Sequence, residues 1–112
     1  MPGDLNQYGF LFGGKLLAWV DEACWIAASL EFPDCHFVTV AMDRVEFRQS
    51  VREGTILTIR SDISRLGKTS VTYAVEVVDR DVADQPIFAT NITFVRVDEA
   101  GGKLAIDPGG GQ

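Results

Sequence analysis

The feature that most restricts the fold of this chain is a helix with too little polar surface. Between Gly13-Gly14 and Pro33 runs KLLAWVDEACWIAASLE, apolar at Leu16, Leu17, Ala18, Trp19, Val20, Ala23, Cys24, Trp25, Ile26, Ala27, Ala28 and Leu30. The glycine pair marks the expected start of the helix and the proline its end. At 100° per residue, Lys15, Glu22 and Ser29 stack into a single narrow polar stripe. A helix of this kind cannot float one-sided on a protein surface; something must wrap it. Asp21 lies about 100° away from the polar stripe. Its neighbours at i±3 and i±4 are Leu17, Ala18, Cys24 and Trp25. A carboxylate in such company is costly unless something uses it, so Asp21 is the leading candidate for chemistry.

Ahead of the helix, Pro2, Gly3, Asp4 and Asn6 read as loop, and behind it Pro33-Asp34 turns the chain. From there the period changes. FVTVAMDRVEF (residues 37–47) is rich in β-branched and aromatic residues. TILTIRSDISRL (55–66) alternates, with Leu57, Ile59 and Ile63 on one face and Thr58, Arg60, Asp62 and Ser64 on the other. Gly67-Lys68 reverses the chain into TSVTYAVEVVD (69–79), where Val71, Tyr73, Val75 and Val77 share a face. A charged loop over 79–85 follows, and Pro86 is expected to open the last strand, 87–98. The domain is read as residues 1–99, with a glycine-rich tail over 100–112 expected to fray.

One long helix and four long strands make an α+β chain. A helix of ~19 residues spans about 28 Å, and strands of ~11 residues span roughly 36 Å. The two lengths match well enough for a curved antiparallel sheet to wrap one central helix. One sheet face leaves part of an all-round apolar helix uncovered, so at least a homodimer is expected.

The 112 residues suit one domain, and a net charge of −6 argues against nucleic acid as partner. Asp21 and Glu22 break the apolar run in its middle, so the helix is not a membrane span. Cys24 and Cys35 form no CxxC motif and read as reduced thiols. No secretory leader is expected, and the chain reads as cytoplasmic.

Several other residues carry chemical possibilities. Gly13 and Gly14 at a helix mouth would let a ligand approach free backbone N–H groups, where a carbonyl oxygen turning negative is stabilised. Asn6 offers a side-chain amide to orient water or a carbonyl. Gly67, Lys68, Thr69 and Ser70, with Arg65 beside them, combine cations and hydroxyls on a tight turn suited to phosphate. The pattern is not a P-loop. His36 is the only histidine, which leaves little scope for a histidine triad or a histidine-based metal site.

Asn6, Gly9, Gly13, Gly14, Leu16, Leu17, Asp21 and Glu22 together spell NxxGxxFGGxLLxxxDE. This resembles the signature of hotdog-fold acyl-CoA thioesterases, most of all the YciA-type enzymes and the cytosolic, brain-type acyl-CoA hydrolases. VTVAMDRVEF, SVREGTILTIRSDISRLGKTSV and ATNITFVRVD match in the same order, so the resemblance covers about residues 3 to 99. It departs in one respect: the family usually carries a strand before the position held here by Pro2.

The resemblance implies hydrolysis of acyl-CoA to a carboxylic acid and coenzyme A, without a metal or redox cofactor. By motif match, Asp21 would be the general base or nucleophile. Asn6 would be its partner from the opposite protomer, and Gly13-Gly14 would hold the thioester carbonyl. Gly67, Lys68, Thr69 and Ser70 match the segment that such enzymes place against coenzyme A, and the adjacent Arg65 is read as a further cation for its phosphates. Dimers assembled into hexamers are implied as well. The alternatives are a noncatalytic acyl-CoA-binding hotdog module and a hotdog hydratase or dehydratase.

Overall fold

The computed structural model describes residues 2–49 and 54–106, with backbone alone described at 2–13, 83 and 84. One helix, α1 (Pro2–Glu31), precedes four strands: β1 (Phe37–Phe47), β2 (Leu57–Leu66), β3 (Ser70–Asp79) and β4 (Val82–Arg96). The strands form one antiparallel sheet in the order β1-β4-β3-β2, so β1 and β2 are its edges.

The helix lies across the inner face of that sheet. Leu16, Val20, Cys24, Ala28 and Phe32, spaced one turn apart, are buried against Val71, Tyr73, Val75 and Val77 of β3 and Phe88, Ile92 and Phe94 of β4. The β3 residues are those whose alternation marks a core face. At the helix end, the Tyr73 hydroxyl donates to Glu31 Oε1 at 2.7 Å, pinning α1 to the central strands. Burial, and then the adjoining carboxylate, push the Tyr73 phenol well above its ordinary range.

Three expectations need correction. The helix starts at Pro2, not at Gly13-Gly14. Proline fits the first helical position, where its missing N–H has no intrahelical partner to lose. An interior glycine costs only about 1 kcal/mol relative to alanine, which need not end a helix.

Strand β4 begins at Val82, and the charged stretch 79–85 supplies only a two-residue turn at Arg80 and Asp81. Asp79 Oδ1 braces that turn by accepting the Asp81 N–H at 2.9 Å. Pro86 therefore sits inside a central strand, opposite Val78, where the register slips. A residue without an N–H is tolerated at such a bulge.

The tail is docked at least as far as Ile106. Asp98 Oδ1 accepts the N–H groups of Ala100 and Gly102 at 2.9 and 2.8 Å, and Val97 bridges to Lys103. The Ile106 N–H donates to Lys68 O at 2.8 Å, and its side chain joins the core. The short run Leu104-Ala105-Ile106 is too brief to show a period, so the burial of Ile106 leaves no trace in the pattern. Residues 107–112 lie outside the described residues.

Candidate active site

The buried stripe of α1 faces the central strands, which turns Asp21 sideways toward edge strand β1. Its carboxylate is half-buried, and Oδ1 accepts a 2.8 Å hydrogen bond from Thr39 Oγ1. One turn further along, the Trp25 indole N–H donates to the Phe37 carbonyl at 3.0 Å. Residues 21 and 25 thus meet 39 and 37, two antiparallel rungs between helix and strand edge. A register shift between Thr39 and Ala41 follows at once. Such bulges bend a strand and re-aim its side chains.

Behind the carboxylate, Cys24 is fully buried. Its thiol is pushed up to about 11, chiefly by burial and further by the Asp21 charge, against an opposing hydrogen bond with Ser61. At neutral pH it is a thiol, not a nucleophilic thiolate.

Thr39 escaped the reading of the sequence. The pattern carries no signal for it, because Thr39 is an exposed strand residue whose hydroxyl water can satisfy.

Other candidates are placed differently. Gly13 and Gly14 lie inside α1, so their N–H groups run along the helix toward carbonyls four residues back. The expected mouth of free donors is therefore not formed in this conformation. A Cβ built on Gly14 would meet nothing within 4 Å, so the backbone there is open to approach. Asn6 belongs to α1 by backbone, but its side chain lies outside the described residues.

Gly67, Lys68, Thr69 and Ser70 form the β2–β3 turn, closed by the Gly67 N–H donating to Ser70 O at 2.8 Å. A Cβ on Gly67 would come within 2.8 Å of Ser70 Oγ, a contact that rotation of the serine side chain would relieve. Arg96 N–H to Thr69 O, at 2.9 Å, braces it from β4. Lys68 and Arg65 are exposed, and neither makes an ion pair among the described residues. One strand, β4, lies between β1 and the β3 end of this turn. At ordinary strand spacing that puts the β3 end of the turn about 10 Å from β1. His36 lines a separate recess with Asp34, Arg96 and Leu104.

Residues 8–84 match the family model described as the thioesterase superfamily. The acyl-CoA thioester hydrolase YciA of Salmonella typhimurium is 32% identical over 114 residues, covering 98% of this chain and 80% of its own. Among solved structures, a hexameric thioesterase from Yersinia pestis superposes with a TM-score of 0.74 at 27% identity, over 85% of this chain and 79% of that one. A hexameric hotdog-fold thioesterase of Campylobacter jejuni gives 0.70 at 32% identity, over 85% and 75%. The single helix in its curved antiparallel sheet is the hotdog fold.

Proposed function

The chain belongs to the thioesterase superfamily, and from that premise we propose that it is an acyl-CoA hydrolase, releasing a carboxylic acid and free coenzyme A. The observation that carries the reading is the Asp21 carboxylate held by Thr39 at the open edge of the sheet. With Oδ1 engaged by the hydroxyl, Oδ2 is the oxygen that acts. It takes a proton from water attacking the thioester carbonyl, or it attacks that carbonyl itself and forms an anhydride that water then opens. Either route expels the coenzyme A thiolate.

Gly13 and Gly14 serve as donors to the developing oxyanion when α1 opens at this pair. Two adjacent glycines are where a helix is least stabilised. Arg65, Gly67, Lys68, Thr69 and Ser70 hold the coenzyme. Asn6, contributed by a second protomer, orients the reacting carbonyl or water.

A homo-oligomer is supported by three facts. The related Yersinia and Campylobacter thioesterases are hexamers. Trp19, Ile26 and Leu30 stand exposed along α1. Edge strand β1 leaves Val38, Val40, Val45 and Phe47 exposed. Among the described residues no helix is long and apolar enough to cross a membrane; a cytoplasmic enzyme with acyl-CoA as its small-molecule substrate is the reading we propose.

The decisive experiment follows free thiol released from acetyl-, butyryl- and palmitoyl-CoA. Release from at least one is expected; release from none sinks the hydrolase reading in favour of a binding module. The shared site is tested by co-expressing Asn6→Ala and Asp21→Asn chains, each nearly inactive alone. Half of randomly paired dimers are mixed and carry one intact site of two, so about a quarter of parental activity returns. Verified mixed oligomers without recovery would place both residues in one chain.

A further inference from the structure

We propose that Trp25 is the specificity-determining residue of this site, an anchored aromatic stop that restricts the acyl group to short chains. The inference rests on the hydrolase reading above and deepens it.

Three observations carry it. Trp25 is four residues beyond Asp21 on the same helix, so the two side chains are neighbours, with Cβ atoms about 5–6 Å apart. Long helical side chains lean toward the helix N-terminus and cover the preceding turn. For Trp25 that turn carries Asp21. Second, the indole does not swing free: its N–H donates to the Phe37 carbonyl at 3.0 Å, bridging α1 to β1. Third, the side chain is not absorbed into the core. Trp25 is 39% exposed, while Cys24 beside it is 1% exposed. A fixed apolar surface is left facing outward next to the carboxylate.

The chemistry of the substrate says which part meets that surface. Within one helical turn of the reacting carbonyl, about 5.4 Å, lie only the first acyl carbons and the thiol arm of the coenzyme. The arm carries amides that need hydrogen-bond partners, and the nucleotide is many bonds away. An indole face suits the acyl carbons. An acyl chain laid along the α1–β1 edge from the Asp21–Thr39 rung meets the Trp25–Phe37 rung one turn later. Short acyl groups fit ahead of this bridge, and longer ones collide with it.

The test measures kcat/KM for acetyl-, butyryl-, octanoyl- and palmitoyl-CoA in the parent, Trp25→Ala, Trp25→Leu and Trp25→Phe, with circular dichroism to confirm the fold. A single methylene in an apolar pocket already discriminates about 10-fold or more. Trp25→Ala should therefore raise the octanoyl-to-acetyl ratio by at least about 10-fold. Trp25→Leu, which keeps apolar volume and serves if the alanine variant fails to fold, should raise it less. Trp25→Phe removes the N–H and keeps a ring, so its ratio should lie nearest the parent. Equal losses on every chain length in the folded variants would make Trp25 a purely structural strut and overturn the proposal. So would a parent that hydrolyses palmitoyl-CoA as well as acetyl-CoA. A parent that releases no thiol from any acyl-CoA overturns the hydrolase reading itself, and this one with it.

Discussion

Central strand β3 and edge strand β1 are built to opposite rules. On β3, Val71, Tyr73, Val75 and Val77 are all buried, and each faces the helix. On β1 only Phe37 is buried, while Val38, Val40, Val45 and Phe47 stand exposed and two register shifts break the ladder. Arg44 lies within the second shift at φ +54, a conformation L-residues seldom adopt. The strand with good packing holds no candidate for the reaction. The strand with poor packing supplies Thr39 and Phe37, the partners of Asp21 and Trp25. On the proposed function, stability and chemistry are divided between the middle of the sheet and its rim, where a substrate or second protomer can reach backbone and side chains alike.

That division can be broken by experiment. The largest effect should come from Asp21→Asn, which removes the acting oxygen and should cost ~10²–10⁴-fold in kcat with the melting temperature nearly unchanged. A kcat within about threefold of the parent would mean that the rim does not carry the reaction.

The opposite case is Phe94→Ala on β4. This ring is fully buried between Phe37 and Tyr73, with centroids about 6 Å from each. Its loss should destabilise the fold by about 3–5 kcal/mol, read from denaturant unfolding. A loss below about 1 kcal/mol would show that the middle of the sheet is not where stability resides.

A finer cut uses Thr39, a positioning residue in this scheme. Thr39→Val should lower kcat on the order of tenfold by releasing the carboxylate, and Thr39→Ser, which keeps the hydroxyl, should restore most of it. Equal activity in both variants would leave the 2.8 Å bond without a role in turnover. At the far side of the sheet, Lys68→Ala should raise KM more than it lowers kcat, by a few-fold that shrinks as salt screens the charge. An unchanged KM at low salt would remove Lys68 from the coenzyme site.

The smallest effect concerns Cys24. Its folded-state value, about 11, is above the ordinary thiol value, so the folded protein keeps this proton where the unfolded chain releases it. The protective contribution is whole below about pH 9 and is lost as pH rises toward 11. The stability gap between the parent and Cys24→Ala should therefore narrow across that window. A gap that stays constant would mean that the Cys24 thiol ionises alike in both states.

Much of this molecule is decided by short-range pattern. Apolar residues nearly all round residues 16–30 require a wrapped helix, alternation over 71–77 marks the face that wraps it, and Asp21 stands out because its helical neighbours are apolar. These signals reside in i+2, i+3 and i+4 spacings, which a chain carries before it folds. Other features depend on pairs far apart in sequence. Thr39 reaches Asp21 across 18 positions and Trp25 reaches Phe37 across 12, and both rungs exist only because α1 and β1 settle in one register. The docking of Ile106 beneath the β2–β3 turn and the place of Pro86 inside β4 were likewise decided by distant partners. Local propensities of about a kilocalorie per mole yield where a buried core and a closed hydrogen-bond ladder contribute more.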